Sequence, residues 1–507
     1  MIKKLICKIY IILSINLLMP IILDEEQTRA IDLMKSGANV FLTGGGGTGK
    51  SKVLETYIDW YKSKYPEDYT QFLGITSTTG SSALLIGGTT IHSFSGIGVS
   101  KESHDIIISR ILKKKYTTKR LKYLKTLIID EISMLTPLTF QLLYRLCQII
   151  RKNERPFGGI QIILSGDFCQ LAPILEQHIE NHDREYCFET PEWNFSNIDI
   201  IHFKKIHRQT DTQFIEALQK IRMGISDQDT TSLLMSRFKE NLVNNYGVLP
   251  VQLFPTRTKA NEINQNYFNK IAKDDNKDIK NYNISLSIES RDPERPIINK
   301  TDIEHRIVSQ LPIDDKIQLC IGCQVILVIN LSIDEGLVNG SKGVVHGFNE
   351  NGEPIVIFSN GIQKNIAIYQ WEIDEGSYIT RALGIPLILG YGCTIHRSQG
   401  MSIDLAVVDI GRDVFKGNGG FGQIYVALSR VRTLIGLSII NFDPSRIKCH
   451  PKVVEFYKNL DNPTKYNKVS VITAPIVMAT PKIVKELTKP KKEELLKKQY
   501  SITSFFQ

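Results

Sequence analysis

Gly44 to Ser51 read GGGGTGKS. The segment fits GxxxxGK[ST], with the apolar run VFLTG leading in and the helix-patterned KVLETYIDWY leading out. A strand, a glycine-rich turn and a helix in that order are the setting a phosphate-binding loop needs. The backbone N–H groups of Gly44, Gly45, Gly46, Gly47, Thr48 and Gly49 can converge on phosphate oxygens that side chains would obstruct. Lys50 would reach the β and γ phosphates, Ser51 would ligate Mg²⁺, and the helix N-terminus adds partial positive charge. Alone, the pattern also suits a flexible glycine loop.

Downstream, TLIIDEISM sets two carboxylates at the end of an apolar run. Asp130 there can hold Mg²⁺, and Glu131 can orient or deprotonate an attacking water. Farther on, LSGDFCQLAPI places Asp167 and Gln170 just past another apolar run. Gln170 is uncharged, which suits sensing the γ-phosphate by hydrogen bonding. Strand ends converging on one edge of a sheet mark the ligand side of α/β proteins. The transition state needs cations from elsewhere, and Arg208 in HRQTD and Arg430 in YVALSRVR are the candidates. Either could instead make a surface salt bridge. As arginine fingers from a second lobe they would make hydrolysis of ATP depend on lobe closure.

The runs VFLTG, TLIIDE, IQIILSGD and IDIIHF read as buried parallel strands, with helical spacing between them, as in FQLLYRLCQIIRKNE. This predicts an α/β fold with two α/β blocks. The first is expected over residues 24–205. The second is expected over 206–301 and 387–442, with LAVVDIG as a strand. Between them, at 302–386, QVILVIN, GVVHGF and PIVIFSNG predict a β-rich insertion. From 443 to 507 the chain turns basic and reads as a flexible tail.

The chain has 507 residues, enough for several domains, and at 42% hydrophobic and 23% charged it suits a globular protein. Its net charge of +9 fits a polyanionic partner. Of eight cysteines only Cys320 and Cys323 form a CxxC, with no further ligands to complete a zinc site. They read as small core residues. Residues 1–23 are apolar after Lys3 and Lys4, but Lys8, Ser14, Asn16 and Pro20 argue against a membrane span and no A-x-A-like cleavage site follows. A targeting segment or a gene-model extension is expected, and no membrane partner.

Longer stretches carry a resemblance. LDEEQTRAI, TSTTGSSALLIGGTTIHSFSGIG, RPFGGIQIILSGDFCQLAPI, GYGCTIHRSQGMSIDLAVVDIG and YVALSRVRTLIGL resemble, in order, the motifs of the petite-integration-frequency (PIF) family of superfamily-one DNA helicases, relatives of the RecD helicases. The resemblance spans about Leu23 to Asn441. It implies an ATP-dependent 5′-to-3′ DNA helicase using Mg²⁺, with Gln27 reading the adenine and Gly400 beside the nucleotide. It also implies that the two α/β blocks are RecA-like P-loop motor domains around ATP, that the first carries a small wedge insertion near 96–121, and that the β-rich insertion is SH3-like, through GCQVILVIN and VNGSKGVV. Departures are the run of four glycines, LAPI for LPPV, Arg397 where lysine is common, and Ser81 and Ser82 where small residues such as alanine are usual.

A grip on single-stranded DNA needs phosphate donors and stacking platforms. Thr78, Thr79, His92 and Phe94 in the first motor are the candidates, with Thr256, Thr394, His396 and Ser398 in the second. Isolated Thr and Ser otherwise serve turns and caps. No module for reading base sequence is visible. At the end of the tail, Gln499, Ile502, Phe505 and Phe506 of QYSITSFF match Qxx(I/L/M)xxFF, an apolar plug suited to the pocket of a sliding clamp (PCNA). These features place the chain, monomeric on single-stranded or forked DNA, at intracellular sites of replication: nucleus, mitochondrion or viral compartment. An ATPase that strips proteins from DNA without unwinding, or a clamp-bound adaptor with a vestigial ATPase, would share some of them.

Overall fold

The structure is a computed structural model describing residues 23–98, 102–173, 184–242, 246–273, 278–291, 299–411 and 420–460. The apolar N-terminal segment up to residue 22 and the clamp-binding box lie outside these residues. Compact units are Met1–Val454 and Glu455–Gln507. The first holds both motors and the insertion; in the second, the described residues form the end of the helix Pro451–Leu460.

Six parallel strands build the first motor: β1 (Asn39–Gly44), β2 (Leu73–Ser77), β3 (Thr89–Thr90), β4 (Thr126–Asp130), β5 (Gln161–Gly166) and β6 (Ile198–Phe203), in the order β3-β2-β4-β5-β1-β6. Helices cover both faces, so β1, β4 and β5 are almost wholly buried. That is why their sequences read as unbroken apolar runs without alternation. Because β4, β5 and β1 are neighbours, their carboxyl ends set Asp130, Asp167 and the glycine loop side by side.

A second parallel sheet joins Gly392–Thr394, Val251–Phe254, Ala406–Asp409 and Leu437–Ile440, in that order. The antiparallel five-stranded sheet of the insertion runs Gln363–Asn365, Pro354–Phe358, Lys342–Phe348, Gln324–Leu327, Leu387–Leu389. Two boundaries drawn from the sequence need correction. Lys280–Asn283 pairs with Lys316–Leu319 and Ser285–Ser290 with Tyr378–Gly384, so the insertion's sheets begin before residue 302. Leu387–Leu389 pairs with Gln324–Leu327, so they also run past 386. The cause is local: SLSIES alternates exposed and half-buried residues with period two, the pattern of a strand with one solvated face.

Helices His104–Leu112 and Lys115–Tyr123 fill the stretch expected to hold the wedge. The second is clasped by the insertion's turn at Asp374–Ser377. Arg120 Nη2 lies 2.8 Å from Asp374 Oδ1, and Arg291 Nη2 lies 2.7 Å from Asp374 Oδ2. Arg306 grips Glu375 with both prongs, at 2.8 and 2.6 Å. Cys320 and Cys323 are fully buried thiols not joined as a disulfide, their sulfurs 3.2 Å apart.

Candidate nucleotide cleft and DNA-facing segments

The glycine loop needs its glycines. Gly47 and Gly49 sit at φ 85° and 84°, left-handed conformations that side chains disfavour. Crowding adds to this: a Cβ on Gly44 would stand 2.5 Å from the Phe203 carbonyl oxygen, and one on Gly47 would stand 2.6 Å from Arg208 Cβ. The following helix, Lys50–Lys64, starts at Gly49 with no side-chain cap, which leaves its first N–H groups available to an anion. Lys50 Nζ donates to the carbonyls of Gly44 (2.7 Å) and Gly45 (3.0 Å). Ser51 is exposed on the first turn.

Gln27 reaches this loop through a capping box. Asp24 accepts from the Gln27 N–H at 2.8 Å, the Gln27 side-chain oxygen accepts from the Asp24 N–H at 3.2 Å, and Gln27 Nε2 is left to donate to the Thr48 carbonyl at 3.3 Å.

Asp130 ends β4, buried, and Glu131 follows at φ 53°. That left-handed backbone is uncommon outside glycine and concentrates at functional sites. Burial, reinforced by the Asp130 carboxylate, pushes the Glu131 carboxyl up to about 7. Burial likewise raises Asp130 and lowers Lys50. Gln170 is buried, and its Nε2 donates to Asp167 Oδ2 at 3.4 Å.

The second motor closes over the loop. A Cβ on Gly46 would stand 2.8 Å from Arg430 Nη2, 3.1 Å from Ser429 Oγ and 3.4 Å from Arg208 Nη1. Arg430 is 2% exposed and braced by the Val426 carbonyl and the Ser429 hydroxyl. Arg208 donates to the Ser429 carbonyl and to Ser402 Oγ. Burial lowers both guanidinium groups, and the neighbouring Arg430 helps push Arg208 down to about 9. Two cations crowded together with little solvent make a site that favours added negative charge.

Gly400 lies nearer Leu85 and Asn339 than the glycine loop; its segment reaches the cleft through Ser402, which accepts from Arg208, and Ile403, whose N–H donates to the Arg430 carbonyl. Sequence reasoning passed over two residues here. The Tyr425 hydroxyl accepts from the Gly46 N–H at 2.8 Å, and Arg222 pairs with Asp167 at 2.8 Å. Tyr425 stands on the helical turn before Arg430, and Arg222 closes an amphipathic helix whose apolar spacing disguised it as a solvated end.

The DNA candidates divide. Thr78 is tied to the catalytic strand, its N–H donating to the Asp130 carbonyl and its hydroxyl to the Glu131 carbonyl. Thr79 caps the helix Gly80–Leu85, and His92 is half-buried. Thr256 is exposed, while Thr394 is buried at the end of the adjacent strand; His396, two residues on, is exposed. Two expectations fail. Phe94 is 7% exposed, with its ring against Gly74 and Leu127, and β2 approaches so closely that no stacking face is left free. Ser398 is fully buried, its hydroxyl donating to the Ile395 carbonyl, so it holds the turn and presents nothing to a phosphate.

The chain matches the family model described as PIF1-like helicase over residues 22–232, and that of the DNA helicase Pif1 2B domain over 304–348. It is 34% identical to the ATP-dependent DNA helicase PIF1 of Xenopus laevis, covering 89% of this chain and 66% of that one. It thus spans just under two thirds of the frog protein. The Pif1 helicase of Candida albicans shares 32% identity and superposes with a TM-score of 0.67, over 87% of this chain and all of that one. The Bacteroides Pif1 structure in complex with ADP-AlF3 and single-stranded DNA shares 26% identity, TM-score 0.58, over 88% and 99%.

Proposed function

The chain belongs to the PIF1-like helicase family, and from that premise we propose that it is an ATP-driven DNA helicase that moves 5′ to 3′ on single-stranded DNA and parts duplex ahead of it. One observation carries the reading: Arg208 and Arg430 of the second motor are packed against Gly46 of the first. Cations aimed at the phosphate loop from another body make hydrolysis conditional on closure, and that condition turns chemistry into movement.

Lys50 and the loop amides bind the phosphates, and Gln27 orients the base. Glu131 positions the attacking water and draws off its proton, Gln170 senses the γ-phosphate, and Arg208 and Arg430 stabilise the charge that builds as the bond to the leaving ADP breaks. Ser51 and Asp130 suit Mg²⁺: the exposed hydroxyl on the first turn after the loop and the carboxylate ending β4 are the hard oxygen donors this ion takes, and it needs few protein ligands when phosphate and water supply the rest. Bound there, the ion would neutralise phosphate charge. Chelating divalent cations is expected to stop ATP turnover while DNA binding, followed by fluorescence polarisation, persists.

Thr78, bonded to the carbonyls of Asp130 and Glu131, supports a direct link from nucleotide to DNA grip. The reading extends to replication, repair or recombination, with Gln499, Ile502, Phe505 and Phe506 docking on a sliding clamp.

Strand displacement on paired 5′-tailed and 3′-tailed substrates with ATP tests the proposal. Release from the 5′-tailed substrate alone is expected, and Lys50→Ala is expected to abolish ATP turnover and unwinding together. Unwinding by a clean Lys50→Ala preparation would refute it. ATP turnover with no displaced strand would make the protein a translocase that clears bound proteins.

A further inference from the structure

Asp167 is completely buried, and Arg222 holds it with two prongs: Nε to Oδ2 at 3.0 Å and Nη2 to Oδ1 at 2.8 Å. The two groups come from different motors. Asp167 follows β5, whereas Arg222 ends the helix Thr212–Arg222, which packs on the helix Gln423–Ser429 leading into Arg430. Arg222 passes along the phosphate loop on its way, since a Cβ on Gly45 would stand 3.7 Å from Arg222 Cδ. The oxygen that takes the Arg222 Nε also takes the Gln170 amide, and Asp167 Oδ1 accepts from the Cys169 N–H at 3.2 Å. A relay therefore runs from Gln170 through one carboxylate to a helix of the second motor.

We propose that Arg222 is a positioning residue for ATP hydrolysis: through Asp167 it sets Gln170 and frees Lys50 when the two motors close. The proposal rests on the reading of this cleft as an ATPase. A buried ion pair is a poor source of net stability, because desolvation offsets the attraction. Its strength lies in geometry, for a planar fork on a carboxylate tolerates little misalignment. A pair of that kind between two bodies is a two-state contact, made when they are in register and broken when they part. Lys50, whose Nζ donates to the Gly44 and Gly45 carbonyls, and Asp167 also attract one another. With Arg222 engaged, the carboxylate is matched by the guanidinium, and Lys50 is left to the phosphate loop. With Arg222 withdrawn, Asp167 competes for Lys50 and Gln170 loses its anchor. Burial pushes the Asp167 carboxyl up, but Arg222, helped by Lys50 and the Cys169 N–H, holds it below its ordinary value and so ionised, as the exchange requires.

The experiment compares wild type, Arg222→Ala, Arg222→Lys, Asp167→Asn and the double variant Asp167→Asn/Arg222→Ala, with Lys50→Ala in parallel. It reads kcat and KM for ATP with single-stranded DNA, nucleotide binding by a fluorescent ATP analogue, and melting temperature. Arg222→Ala is expected to lower kcat by about 10²-fold, the scale of a small misplacement in an active site, with a much smaller weakening of KM and analogue binding as Asp167 draws on Lys50. Arg222→Lys should recover part of the loss, its single ammonium replacing the charge but not the fork. In the Asp167→Asn background, removing Arg222 should cost little more, since both act through one contact. Wild-type kcat in folded Arg222→Ala overturns the proposal, as do fully additive losses in the double variant. Should Arg222→Ala not fold, Arg222→Lys decides: full kcat with a native melting temperature overturns it. If wild type turns over ATP and Lys50→Ala does not, such a result sinks this proposal alone. If wild type is itself inactive with DNA, the ATPase reading falls, and this one with it.

Discussion

Arg430→Ala is expected to cut DNA-stimulated ATP hydrolysis by about 10³-fold, the lower end of what an arginine finger contributes. The guanidinium lies almost wholly out of water, with Nη2 directed at the Gly46 position and its backbone held because Gln209 Nε2 donates to the carbonyls of Ser429 and Val431. Such a group is already oriented before charge develops, so its effect falls on the transition state more than on binding. Affinity for a fluorescent nucleotide should therefore fall far less than kcat. Arg430→Lys keeps the charge but reaches with one ammonium from a more flexible stem, and should remain severely impaired. Steady-state turnover with single-stranded DNA, beside melting curves showing an intact fold, checks this. A folded Arg430→Ala hydrolysing at wild-type rate would remove Arg430 from the chemistry and leave Arg208 as the second motor's contribution.

Phe94→Ala should act on stability instead of DNA. The ring stands where a Cβ on Gly74 would be only 2.7 Å from Phe94 Cζ, and the Arg120 guanidinium lies 4.7 Å over its face while donating to the Phe94 carbonyl. Emptying that site leaves a cavity beneath β2, at a cost of about 3–5 kcal/mol. Urea denaturation should show the loss, with DNA affinity per folded molecule little changed. A fully stable Phe94→Ala that no longer binds DNA would restore the stacking role assigned to it from sequence.

That contrast shows what the sequence could and could not convey. The phosphate loop, the acids ending β4 and Arg430 were legible because each belongs to a short run whose chemistry is local: glycines between a strand and a helix, carboxylates at a strand end, a charge in an apolar helical run; Arg208, in HRQTD, had no such run around it. Phe94 was misread because a motif fixes the path of the backbone but not which side of it faces a neighbouring strand, and Gly74, twenty positions earlier, decides that. Ser398 failed for the same reason, since a hydroxyl that satisfies its own turn looks identical in a string of letters to one offered to phosphate. Arg222 and Tyr425 stayed hidden because their meaning comes from partners far along the chain, Asp167 and Gly46. The early start of the insertion was legible in principle, from the alternation in SLSIES, but polar residues on both sides muted it.

The clasp between the wedge helix and the turn at Asp374–Ser377 gives force a second route through the molecule. The insertion is spliced by its peptide connections into the second motor, yet Arg120 bolts it to the first. A stroke of one motor against the other must then bend those connections or slip the bolt. Arginine–carboxylate contacts partly open to water weaken as salt rises, whereas packed cores do not, so the bolt is the part that yields. Ionic strength thereby becomes a setting on how stiffly the two halves of the engine are geared together.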